Sequence, residues 1–155
     1  MSLFTHAVIT FLISMVPVLE LRGSLLYAYA GGLPPLPAAV IAIVGNLVPV
    51  PFIILFARRV FAWMNRKSPR LAALAEKIET RATKKSDALR RGVVLGLMIF
   101  VAIPLPGTGA WTGALIAAVL NIRMKTALPA IALGVIIAGA LVTGIVYGLF
   151  GAILG

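Results

Sequence analysis

Pro17-Val18-Leu19-Glu20-Leu21-Arg22-Gly23 is the stretch on which the fold turns. It holds the only acidic residue and the only Lys or Arg within the first 57 positions, two apart between a proline and a glycine. A carboxylate and a guanidinium at membrane depth each cost about 2.5–3.5 kcal/mol on insertion scales unless paired or wetted. Charges placed there are candidates for a functional site. A second break, Pro104-Leu105-Pro106-Gly107-Thr108-Gly109, falls at a matching place in the C-terminal half. The chain is therefore read as two broken hairpins that face each other in a membrane.

Composition supports that reading. Of 155 residues 61% are hydrophobic and 12% charged, too little charge to cover the surface of a soluble domain this small. Net charge is +10, and +8 of it lies between Arg58 and Arg91, where eleven Lys and Arg meet Glu76, Glu79 and Asp87. A basic loop between apolar segments is what the positive-inside rule produces, so no nucleic-acid partner is expected. The chain has no cysteine and a single histidine, His6, which excludes disulfides and leaves no metal-ligand cluster. No P-loop or Ser-His-Asp set is present, so neither an enzyme nor a cofactor is expected. Met1 to His6 lacks a basic n-region, and the N terminus is expected to remain on the mature protein.

Residues 3–16 are apolar and helical in character, but fourteen residues reach only about 21 Å against a core about 30 Å thick. Ser24–Ala30 adds two turns before Gly31-Gly32 and the proline turn Leu33–Pro37. Residues 38–57 carry no charge and suffice for one span, with Asn46, Pro49 and Pro51 marking a kinked, polar place in it. Ser68-Pro69 opens an amphipathic surface helix on which Leu71, Leu74, Ile78 and Ala82 share a face. Residues 92–103 and 110–120 are again half-length arms, and 126–154 form a second span. The expected organisation is one membrane domain: a first repeat at 1–57, a cytoplasmic basic segment at 58–91, and a second repeat at 92–155.

Charge sets the topology. Were 92–120 one ordinary span leaving the cytoplasm at Arg91, Arg123 and Lys125 would emerge outside. If the segment re-enters at Pro104–Gly109, both basic ends are cytoplasmic. The same logic run backwards puts the turn at 34–37 and both termini outside the cell membrane. The fold class expected is all-α integral membrane: two inverted repeats, each a re-entrant hairpin plus one transmembrane helix. That is the architecture of secondary transporters, whose sites lie at the midplane where broken helices meet.

The candidate site follows. Helix N termini freed by a break favour an anion, and Gly107, Thr108 and Gly109 can present backbone donors to it. Thr108 and Thr112 add hydroxyls, and Trp111 an apolar wall. Arg22 suits a phosphate or carboxylate through its planar fork. Glu20 is the candidate coupling acid. Against these stand two structural roles: a fixed Glu20–Arg22 pair, or pairing of each charge with backbone ends of the opposite hairpin. Asn46 either bonds to a hairpin or caps the kinked turn. Tyr27, Tyr29, Trp63 and Tyr147 read as interfacial anchors. Ala140, Gly144, Gly148 and Ala152 form a small-residue stripe for close packing, within the monomer or in a homodimer.

Pro17–Ser24, Gly31-Gly32-Leu33-Pro34-Pro35 and Pro104–Gly113 together resemble the small multidrug export family, over nearly the whole chain. That family is similar to the DedA superfamily of re-entrant-hairpin membrane proteins. The resemblance implies transport of phosphate-headed lipids, notably undecaprenyl phosphate. Expected partners are membrane lipids, an anionic amphipathic substrate and a second copy of the chain. Two alternatives remain open: a proton-coupled exporter of lipophilic cations acting through Glu20, and a scaffold acting through the basic surface helix.

Overall fold

The computed structural model describes residues 1–70, 72–74, 76–77 and 87–155, and among these every regular element is helical. The first reversal joins α1 (Leu3–Met15) to α2 (Glu20–Ala30). Ser2 caps α1, its hydroxyl accepting from the Thr5 N–H at 3.3 Å. Pro17 ends the helix, since it has no N–H and forces Val16 into extended backbone. The chain then doubles back, bringing His6 Nδ1 to 3.1 Å from the Tyr27 hydroxyl. The second reversal joins α5 (Asp87–Ala102) to α6 (Ala110–Val119). Gly107 turns it with a φ of 83°, and a Cβ on Gly113 would lie 2.5 Å from the Val101 side chain across the two arms.

Two long rods carry these hairpins. The first, Pro35–Lys67, comprises α3 (Pro35–Leu47) and α4 (Pro49–Lys67), joined through Val48. The second, Met124–Leu154, comprises α7 (Met124–Thr143), a π-helical stretch Gly144–Phe150 and α8 (Gly151–Leu154). Among the described residues these two are long and apolar enough to cross a membrane. The first rod runs past the span expected at 38–57, because Arg58 to Lys67 continue the helix, and Arg66 and Lys67 sit well against the negative end of its dipole. Residues 87–91, ahead of the arm expected from 92, are already helical. Residues 69–70, 72–74 and 76–77 of the expected surface helix are helical. Leu71, Ile78 and Ala82 of its apolar face lie outside the described residues.

The two half-length helices stack on the rods end to end. Ala110, Ala114 and Ala117 of α6 pack with Ala127, Ile131 and Val135 early in the second rod, and with Val50, Ile53 and Ile54 late in the reach of the first. Leu21, Leu25 and Ala28 of α2 pack with Ala138, Val142 and Val146 later in the second rod, and with Ala38 and Ala42 at the start of the first. The rods are therefore antiparallel, and α2 and α6 point in opposite directions from a junction at their N termini. With 11 and 10 residues the two helices are about 16 and 15 Å long, and together match a hydrocarbon core of about 30 Å.

Both half-helices end alike. Leu33 N–H donates to the Ala28 carbonyl and Gly32 N–H to Tyr29, as Ile122 donates to Ala117 and Asn121 to Ala118. These are Schellman ends, with Gly32 (φ 74°) and Asn121 (φ 52°) in the left-handed position. The rods also seat on the outer arms alike: a Cβ on Gly45 would lie 2.7 Å from the Phe11 carbonyl oxygen, and one on Gly134 2.7 Å from that of Met98. Outward faces are apolar, with Phe52, Phe56, Leu133, Leu141 and Leu149 all exposed. Water would not tolerate so continuous an apolar surface; lipid does.

Candidate functional site

Glu20 opens α2 with a φ of 46°, a left-handed backbone that non-glycine residues seldom adopt. Its side chain leaves its own hairpin for the N terminus of α6, where Oε1 accepts from the Trp111 N–H at 3.3 Å. The N-cap of α6 is Gly109, which has no side chain to offer. Glu20 thus does from another hairpin what an acidic N-cap does locally: it satisfies an orphan N–H and meets the positive end of the helix. Glycine is required at 109, because a Cβ there would lie 1.5 Å from Glu20 Oε2.

Arg22, one turn-edge further along α2, serves the other end of the same hairpin. Its Nη1 donates to Glu20 Oε2 at 3.4 Å, and Nη2 donates to the Ile103 carbonyl at 3.1 Å and to Thr108 Oγ1 at 3.0 Å. Ile103 follows the last residue of α5, so its carbonyl is one of those a helix end leaves unpaired. Thr108 ties the loop together, its hydroxyl lying 2.6 Å from the Ile103 carbonyl and 2.7 Å from that of Leu105. The capping is reciprocal. Trp111 Nε1 donates to the carbonyl of Met15, the last residue of α1, at 3.0 Å. The first turn of each half-helix therefore holds the end of the opposite hairpin's outer arm.

Of the residues singled out in the sequence, Glu20, Arg22, Thr108, Gly109 and Trp111 meet in this junction, as described. Gly107 shapes the loop tip with open space beside it. Thr112 takes part in none of these bonds. Asn46 is 2% exposed on α3, and its Oδ1, like Arg22 Nε, has no hydrogen-bond partner among the described residues. Asn46, Arg22, Glu20, Gly109 and Ala110 line a cavity that leaves about 10 Å³ for the centre of a water molecule. That is room for about one water, so the junction is closed in this state.

The sequence reading missed Met15 and Ile103, which act through backbone carbonyls that no residue type announces. Tyr147, read as an interfacial anchor, also donates its hydroxyl to the Leu33 carbonyl at 2.8 Å, and its ring meets Tyr29 edge-on at 5.2 Å. Arg58, read as the start of a loop, donates through Nη2 to the Ile122 carbonyl. The stripe Ala140, Gly144, Gly148 and Ala152 lines an open groove, and a Cβ on Gly144 or Gly148 would touch nothing. Those two glycines are not packed within the monomer.

Two long apolar helices, outward apolar faces and a partly buried ion pair where two helical hairpins meet fit a membrane protein, all-helical among the described residues. The chain belongs to the family described as "Putative small multi-drug export protein", whose model matches residues 20–141, from the junction glutamate well into the second rod. The description is one of membrane transport. Neither the curated proteins nor the solved structures gave a match.

Proposed function

We propose that this chain carries an amphipathic anion, a phosphate-headed lipid such as undecaprenyl phosphate, across the cell membrane through the junction of its hairpins. One observation carries the reading: the Glu20 carboxylate lies between the Arg22 guanidinium and the N terminus of α6. This is an anion site filled by the protein's own carboxylate. A proton on Glu20 would leave the guanidinium and the helix end unmatched, and a phosphate satisfies both. Substrate binding and Glu20 ionisation then compete, which couples the anion to a proton without any catalytic step or cofactor. The loop motifs resemble the small multidrug export family, and the likeness of that family to the DedA superfamily is the support for a lipid phosphate as the anion, although the second turn, Pro106-Gly107-Thr108-Gly109, lacks the arginines of the DedA-type hairpin.

The membrane arrangement belongs to the same proposal: two inverted repeats, each a re-entrant hairpin and one spanning rod. Its support is a register of 89 residues. Ala38 and Ala127, Ala42 and Ile131, Gly45 and Gly134, and Ala57 and Val146 are buried pairs at that spacing. With residues 58–91, Arg123 and Lys125 in the cytoplasm, both termini lie outside. Thiol labelling of Ser2→Cys, Pro35→Cys and Thr126→Cys should reach the first two from outside and the third from inside. Labelling of Ser2→Cys from the cytoplasm alone would end the inverted arrangement. A homodimer fits as well, since the hairpin tips Pro17–Leu19 and Leu105–Gly107 are exposed and non-helical backbone at membrane depth needs protein or water over it.

The family description favours a second reading, proton-coupled export of lipophilic cations with Glu20 as the carboxylate they exchange against. Reconstituted vesicles separate the two. The lipid reading expects translocation of a polyprenyl phosphate that is lost in Arg22→Ala. Translocation of a lipophilic cation in its place, lost in Glu20→Gln, would overturn it.

A further inference from the structure

Tyr147 and Arg58 occupy the same place in the two halves of the molecule. They are 89 positions apart, as are Leu33 and Ile122, the residues whose carbonyls they hold. Leu33 and Ile122 are the third residue past α2 and the third past α6, each closing a Schellman end. In each case the donor comes from a rod of the other half: Tyr147 from the second rod reaches the end of α2, and Arg58 from the first reaches the end of α6. The side chains differ completely, a phenol against a guanidinium, while the bond made is the same.

Because α2 and α6 point in opposite directions from the central junction, these two bonds lie at opposite ends of the helix stack. Tyr147–Leu33 sits beside the proline turn at 34–37, and Arg58–Ile122 beside Arg123 and Lys125. Each lies about 15 Å from the closed cavity, the length of one half-helix. The aromatic cluster strengthens the first, with Tyr29 meeting both Tyr147 and Phe150 at ring distances of 5.2 and 6.1 Å. It also falls in the π-helical stretch 144–150, where the rod departs from regular hydrogen bonding.

We infer that Tyr147 and Arg58 are the outer and inner closures of the central site, each holding a half-helix end against the opposite rod. Releasing one frees that end alone and opens the junction to one side of the membrane. The inference rests on the transport reading for its purpose, but its test needs no substrate. The chain has no cysteine, so a single Val135→Cys in the cavity wall, at 1% exposure, is a clean reporter. A membrane-impermeant thiol reagent is applied from each side of oriented vesicles to this reporter in three backgrounds.

With both closures intact, labelling is slow from either side. Tyr147→Phe, which removes one hydroxyl, should raise labelling from outside about three- to tenfold and leave the inside rate unchanged, the factor one ordinary hydrogen bond puts on an opening equilibrium. Arg58→Lys, which keeps the charge and loses the planar fork, should do the converse. Thermal melts of the same variants confirm that they are folded. Unchanged labelling in either variant, or both variants opening to the same side, overturns the assignment. Failure of the vesicle transport assay would leave these labelling rates as they are, so the two ideas fail separately.

Discussion

Gly109→Ala puts a methyl group where the Glu20 carboxylate now sits. The added carbon would lie 1.5 Å from Oε2, 2.3 Å from Cδ and 2.5 Å from Oε1, so the carboxylate has to leave the N terminus of α6. That breaks its bond from the Trp111 N–H and loosens its pairing with Arg22. A hydrogen bond to a charged group is worth about 1.5–3 kcal/mol, and alanine is a poorer N-cap than glycine by about 0.5–1 kcal/mol. The expected loss of stability is about 2–4 kcal/mol, measured by denaturant unfolding of purified protein in micelles. Gly96→Ala is the control, since it lies inside α5 with open space beside it and should stabilise by up to about 1 kcal/mol. The decisive comparison is a double-mutant cycle. With Glu20→Ala already in place no carboxylate remains to displace, and Gly109→Ala should then cost only about 1 kcal/mol. An equal loss in both backgrounds, or a Gly109→Ala protein as stable as Gly96→Ala, would refute the reasoning.

Three further outcomes are expected. Gly45→Ala and Gly134→Ala each press a methyl to 2.7 Å from a backbone oxygen of the outer arm and should destabilise by about 1–3 kcal/mol on unfolding, Gly45→Ala the more because its methyl also meets the buried Ser14 hydroxyl. Gly144→Leu and Gly148→Leu meet open space, so monomer stability should hold within about 0.5 kcal/mol, while the proposed homodimer, if it packs on this stripe, should be lost in membrane cross-linking. Asn46→Leu replaces a buried amide whose oxygen has no partner among the described residues, and should leave the protein as stable or up to about 1–2 kcal/mol more so, yet weaken phosphate-lipid binding.

The break at Pro17–Gly23, the second break at Pro104–Gly109, and the long apolar stretches were legible because proline, glycine and missing charge mark them directly. Glu20 and Arg22 stood out for the same reason: ionised groups among apolar ones. Their partners were not legible. A helix end offers its N–H and C=O groups whatever its side chains are, so neither Met15 nor Ile103 carries a sign of what it accepts. Glu20 in left-handed backbone is equally silent, since glutamate has no special preference for that conformation. Both structural roles open to the pair are present together: Arg22 donates to Glu20, and each also meets a backbone end of the opposite hairpin. Tyr147 and Arg58 escaped because only the 89-residue register relates them, and phenol and guanidinium do not look alike in sequence.

The central claim is that Glu20 occupies an anion site and competes with the substrate for it. Binding of a polyprenyl phosphate to purified protein, followed across mildly acidic to mildly basic pH, tests this most directly. The account predicts binding that tightens as pH falls in the native chain, stays tight at every pH in Glu20→Gln, and is absent in Arg22→Ala. A lipophilic cation that binds more tightly as pH rises, and not at all in Glu20→Gln, would contradict it.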